Sequence, residues 1–259
     1  MNIRAGGFLL QALTSIPFLE ATEETDNVKF EKIILNGLAG FYWIIRKNHD
    51  REFALRKLMM FLSRFQEPIK AMGREFDLQK KYHRRLDRDY CASWTVTDHV
   101  SGWKTFDAIL SDISDVQIND IYIEVINIVD KKVELLGGSV HNLLRLSVAF
   151  PGLFPPVENR FLSSIYYSQI PLLNLQKSDL VHVNLRNTKM LPVNNANQIL
   201  LQSLELRSGE LARKILADVS PCQIISREQI RIENISAFIN SLETMKGNIK
   251  EQLKKNYHE

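Results

Sequence analysis

Cysteine is nearly absent from this chain. Cys91 and Cys222 are the two in 259 residues, far apart and in neither a metal-binding nor a redox spacing. That excludes a disulfide framework, and the pair reads as buried free thiols in a reducing compartment. No apolar run reaches the length of a membrane span. Excess charge of one sign is missing too. The net charge is +3 with 24% charged residues, a balance that fits neither a disordered chain nor a polyanion-coating protein, so nucleic acid is not an expected partner. The six histidines, His49, His83, His99, His141, His182 and His258, show no spacing such as H-E-x-x-H. Gly137-Gly138 lacks the lysine of a phosphate loop, and no dinucleotide fingerprint occurs. Neither a metal nor a cofactor is expected.

What the chain does have is a hydrophobic fraction of 45%, enough to bury a large core. No linker, low-complexity segment or repeat divides it, which predicts one domain over 1–259. Met1 to Leu19 has one basic residue, Arg4, and a mostly apolar stretch. Gln11, Thr14, Ser15 and Pro17 interrupt that stretch, and no small-x-small site precedes Glu20. The expectation is a cytoplasmic protein rather than a secreted one.

Strand and helix patterns alternate along the chain. A glycine turn at Gly6-Gly7 precedes a helix through Leu9, Leu13, Ile16 and Leu19, which Pro17 should kink or shorten. Ile33-Ile34-Leu35 suits a buried parallel strand. It runs into Asn36-Gly37-Leu38-Ala39-Gly40 and then a helical pattern, the strand, tight turn and helix of a nucleophile elbow. An amphipathic helix is predicted over about 50–66, capped by Asp50 and ended by Pro68. A second follows with Trp103, Phe106, Ile109 and Leu110 on its apolar face.

Ile121 to Val129 is the clearest strand, with Val133 to Leu136 returning beside it and Gly137-Gly138 closing the pair. Ser139 should cap a helix through Leu143, Leu144 and Val148. Asp179 opens another buried strand, and helices are expected near 197–217 and 234–255. This alternation predicts a layered α/β domain with a largely parallel sheet. The main basic concentration includes Lys80, Lys81, Arg84 and Arg85. It reads either as a solvated face or as a surface for anionic lipid headgroups or an acidic partner.

Phe150-Pro151-Gly152-Leu153-Phe154-Pro155-Pro156-Val157, followed by Leu162-Ser163-Ser164-Ile165 and Pro171, resembles the distal signature of patatin-like phospholipases of the small bacterial type. The likeness extends over Val116 to Arg186 and Leu211 to Leu253, and more weakly, in the right order, over the N-terminal stretch. It implies a three-layer α/β/α fold. In this alignment Gly6 and Gly7 fall on the oxyanion loop. Asn36, Gly37 and Gly40 fall on the elbow, with Leu38 in place of the nucleophilic serine. Ser163 stands where the catalytic aspartate would be, and Phe8 and Leu9 replace the glycine and basic residue of the oxyanion loop.

Such hydrolysis needs a serine activated by an aspartate, with backbone N–H groups holding the oxyanion. The resemblance therefore implies a degenerate member, a pseudoenzyme kept for binding or assembly. The expected partners are a protein, a second copy or a patatin-like subunit, or a lipid at a peripheral membrane contact. The alternative is an active lipid acyl hydrolase with an unorthodox site, for which Ser163 or Ser164 with His182 or His141 are the candidates. A third reading keeps an acyl pocket without turnover. On general grounds His182, inside a strand, reads as a packed or hydrogen-bonded core histidine.

Overall fold

The computed structural model describes residues 1–7, 9–25, 29–66, 99–150, 153–184, 196–228, 230, 232 and 234–257. Strand β1 (Asn2–Ala5) leads through a 3-10 segment (Leu9–Thr14) into helix α1 (Ser15–Glu23). Pro17 stands in the first turn of α1, where no intrahelical hydrogen bond depends on its missing N–H. The periodic stretch is thus divided before the proline and the α-helix is short. β2 (Lys32–Leu35) passes directly into α2 (Gly37–Asn48). α3 (Arg51–Arg64) starts where the Asp50 carboxylate accepts from Phe53 N–H at 2.7 Å, the expected cap. α4 (His99–Leu110) follows, packing Phe106, Ile109 and Leu110 into the core.

The hairpin of β3 (Gln117–Asn127) and β4 (Lys132–Ser139) comes next, then α5 (Val140–Val148), β5 (Phe161–Ser163) and a 3-10 turn (Ser164–Tyr166). β6 (Leu180–Asn184), α6 (Ala196–Val219), β7 (Cys222–Ser226) and α7 (Ile235–Tyr257) complete the described elements. Two boundaries depart from the sequence pattern. The apolar run to Val129 leaves the sheet at Asn127, because its Oδ1 accepts from the N–H groups of Val129 (3.2 Å) and Asp130 (3.0 Å) and turns the chain. Ile128 and Val129 are consequently 42% and 62% exposed. Conversely, Gly137 and Gly138 do not end β4. The ladder continues to Ser139 across a register shift, and Gly138 takes φ +152, a conformation glycine tolerates without strain.

The sheet runs β4-β3-β2-β1-β6-β7. β1, β2, β3, β6 and β7 are mutually parallel, and β4 is antiparallel at one edge. β5 pairs antiparallel with Val125–Asn127 of β3, beyond the Ile121–Ile123 stretch that β2 occupies. Alternate residues serve opposite faces. Ile3, Ala5, Ile33, Leu35, Ile121 and Ile123 pack beneath α1, α2, α3, α4, α5 and α7 in the main core. Val181 and Val183 face the other way, against Leu216 of α6 and Ile170. The molecule is a three-layer α/β/α fold around a central, mostly parallel sheet.

Candidate functional site

In such sheets ligands sit beyond the carboxyl ends of the strands, where the strand order reverses. Here the chain builds outward from β1 through β2 to β3, then returns to place β6 on the other side of β1. The carboxyl ends of β1, β2 and β6 carry Gly6-Gly7, Asn36 and Asn184. The residues aligned with the oxyanion loop and elbow therefore do meet in space.

Asn36 dominates this meeting point. Its backbone is extended and its N–H donates to Ala5 O at 3.3 Å, prolonging the β1–β2 ladder by one residue. Its Oδ1 accepts from Gly7 N–H (3.3 Å), and its Nδ2 donates to Ser164 Oγ (3.2 Å) and Ser168 O (3.3 Å). Asn36, Ser164 and Ser168 are fully buried. The amide thus fills the space between the glycine turn and the segment after β5. A Cβ on Gly6 would lie 1.8 Å from Asn36 Oδ1, so this close approach needs a glycine.

The crest of the strand–helix turn is Gly37, with φ +64, one residue before the position aligned with a nucleophile. Leu38 is buried in the main core as part of α2. Gly40 packs where a Cβ would meet Ile123 (3.0 Å) and Ser147 (3.1 Å), a role in helix–sheet contact. Ser163 ends β5 with its N–H bonded to Ala149 O at 3.0 Å. Its buried hydroxyl has no partner among the described residues. Phe8, Lys80, Lys81, Arg84 and Arg85 lie outside the described residues, as do Cys91 and Trp94.

Ser15 and Ser226 meet His182, and Ser164 meets Glu124; none of these pairings is the one anticipated. Ser15 Oγ lies 2.9 Å from His182 Nδ1 and 2.8 Å from the Gly6 carbonyl, while His182 Nε2 lies 2.9 Å from Ser226 Oγ. His182 also stacks on Phe18 at 5.2 Å. Burial holds its imidazole down to about 3, with the Glu228 carboxylate opposing. Secondly, the fully buried Glu124 accepts from Leu173 N–H at 2.6 Å. Burial pushes its carboxyl above the usual range, while the Leu173 N–H, the Ser164 hydroxyl and the Leu172 N–H pull the other way. His141 is occupied elsewhere, its Nε2 2.7 Å from Ile113 O.

Beside Glu124 runs a buried ion pair, Arg4 Nε to Asp179 Oδ2 at 2.7 Å. The Arg4 guanidinium also donates to the carbonyls of Pro171, Leu173 and Asn174. Asp179 further accepts from the backbone N–H groups of Asn2 (3.2 Å) and Gln176 (3.1 Å). This pair pins the loop before β6 across the sheet. Ser15, Glu124 and Arg4 carried no local sequence signal. Their ionisable or backbone partners His182, Leu173 and Asp179 lie 167, 49 and 175 positions away, and only their meeting in the fold singles them out.

The chemistry available here is limited by access and by energy. Ser15, Ser163, Ser164 and His182 are buried to 1% exposure or less. Lowering His182 from an ordinary 6.5 to about 3 means that placing a proton on it takes roughly 5 kcal/mol more than in water. A general base must accept that proton in the transition state. Among the described residues no group of three or more His, Cys, Asp or Glu could hold a metal ion, and no helix is long and apolar enough to cross a membrane. No family model matches this chain. No curated protein matches it either.

Proposed function

We propose that the chain is a patatin-like scaffold without hydrolytic activity that works as a binding or assembly protein. The observation that carries this reading is the Asn36 amide, fully buried and bonded on both sides where a hydrolase would keep an open cleft. Gly37 supplies the turn without a nucleophilic side chain, and Leu38 belongs to the core. The ligand on this reading is a protein, either a second copy or an intact patatin-like subunit, or a lipid. The setting is cytoplasmic, with Lys80, Lys81, Arg84 and Arg85 as the surface for anionic headgroups at a peripheral membrane contact.

A second reading, a lipid acyl hydrolase, is favoured by the 2.9 Å approach of Ser15 to His182. It requires the buried pair to open to substrate. The purified full chain, Ser15→Ala and Ser164→Ala separate the two readings in assays with nitrophenyl esters and phospholipid vesicles. Background rates for all three are expected. Wild-type turnover lost in either alanine variant would establish the hydrolase instead.

A further inference from the structure

β7 is the last strand of the sheet path, with no strand beyond it among the described residues. Cys222 N–H donates toward β6, to Asp179 O at 3.1 Å, so the N–H groups of Gln223, Ile225 and Arg227 turn outward. A row of that kind is a template for another strand. The opposite edge, β4, is protected in part by the charges of Lys132 and Glu134. Cys222–Ser226 carries no charge, and its Ile225 is 38% exposed.

One flank of α7 covers this edge. Gln252 Nε2 donates to Ile225 O (2.9 Å), and Gln252 Oε1 accepts from Ile225 N–H (3.1 Å). Those are the two bonds that a neighbouring strand would make to the same residue. One turn earlier, Asn248 Nδ2 donates to Glu228 Oε1 (2.9 Å), and Glu228 Oε2 accepts from Arg227 N–H (2.8 Å). One turn later, Asn256 Nδ2 lies 4.0 Å from Cys222 Sγ. Spacing by four places the three amides on one helix flank. The buried seam of Met245, Ile249 and Leu253 runs beside them. On its far side Lys246 and Lys250 pair with Glu24, and Lys246 also approaches Glu20, which fixes the rotation of α7 against α1.

We infer that this amide row is an edge cap. It stands in for a further strand and keeps β7 from pairing with β7 of a second copy of this chain. Two identical uncharged edges can meet antiparallel about a two-fold axis, so the uncapped surface is complementary to itself.

The test uses the full chain with Gln252→Met, which keeps side-chain length and loses both the amide oxygen and the amide nitrogen. Sedimentation across a range of concentrations should show a mass double that of wild type appearing as concentration rises. Exchange of the Ile225 amide in dilute samples should quicken roughly tenfold, as expected for losing its hydrogen bonds. Adding Ile225→Lys should restore the wild-type mass. A folded Gln252→Met that keeps the wild-type mass overturns the inference, as does association that persists with Ile225→Lys. Should Gln252→Met not fold, wild-type exchange decides: an Ile225 amide as protected as that of Ile224 supports the cap, and an unprotected one removes it.

Discussion

Asn36 is the residue on which the candidate site turns. It uses three of the four hydrogen-bonding positions of its amide inside a region closed to water. Asn36→Leu would leave Gly7 N–H and Ser168 O buried and unpaired, each worth about 1–3 kcal/mol. We expect about 3 kcal/mol less stability in urea unfolding, with an unchanged slope. Gly6→Ala should also destabilise, since its Cβ would fall on Asn36 Oδ1. The two effects should couple. Gly6→Ala is expected to be less damaging in an Asn36→Gly background, and additivity in that double-mutant cycle would show that the contact does not limit the site. Arg4 is a second such residue. With the Asp179 carboxylate and the Pro171 carbonyl buried and the carbonyls of Leu173 and Asn174 partly so, Arg4→Met should lower stability by about 3 kcal/mol, chiefly by leaving Asp179 unpaired.

Among elements, β6 shows most clearly what the sequence could and could not supply. Its apolar density made a buried strand legible, and His182 within it reads from pattern alone as a core histidine. Its partners were not legible, because Ser15 is 167 positions away and Ser226 arrives on a different strand. The limits of β3 and β4 depart from the apolar pattern for local reasons. An Asn127 side chain ends one strand before its apolar run does, and a bulge lets the other continue through glycines. The His182 environment carries a pH dependence. Its folded value of about 3 lies below the ordinary 6.5, so above 6.5 both states are neutral and its full stabilisation is present. As pH falls from 6.5 toward 3, the unfolded chain takes up a proton that the fold refuses. Stability then drops by up to roughly 5 kcal/mol. Glu124, raised by burial, works in the opposite direction, since it is protonated in the fold at pH values where the unfolded chain has already ionised. The difference between wild-type and His182→Gln unfolding profiles isolates the histidine. A flat difference between pH 6.5 and 4.5 would contradict the buried neutral imidazole.

At the scale of the whole molecule, the alternation of short apolar strands with amphipathic helices made the layered architecture readable. The closure of the site was not. It arises where Gly6-Gly7, Asn36 and Ser164 converge from three elements, and no single stretch of chain shows that the Asn36 amide bonds to the other two. That convergence sets the final prediction, that a serine at the turn together with an aspartate at position 163 does not create hydrolysis. Leu38→Ser would place a hydroxyl inside the main core, out of reach of substrate. Gly37→Ser would put it at the crest of the turn instead, in a left-handed conformation and with its Cβ 3.0 Å from the Gly7 carbonyl oxygen. A carbonyl oxygen repels a developing oxyanion, and the neighbouring donor, Gly7 N–H, is already bound to Asn36 Oδ1 at 3.3 Å. Loss of one oxyanion donor alone lowers turnover by about 100- to 1000-fold. Gly37→Ser with Ser163→Asp, and Leu38→Ser with Ser163→Asp, are therefore expected to release nitrophenol at the background rate. A burst of nitrophenol from the first double variant would show that the glycine turn can still present a free donor, and that Asn36 does not close the site.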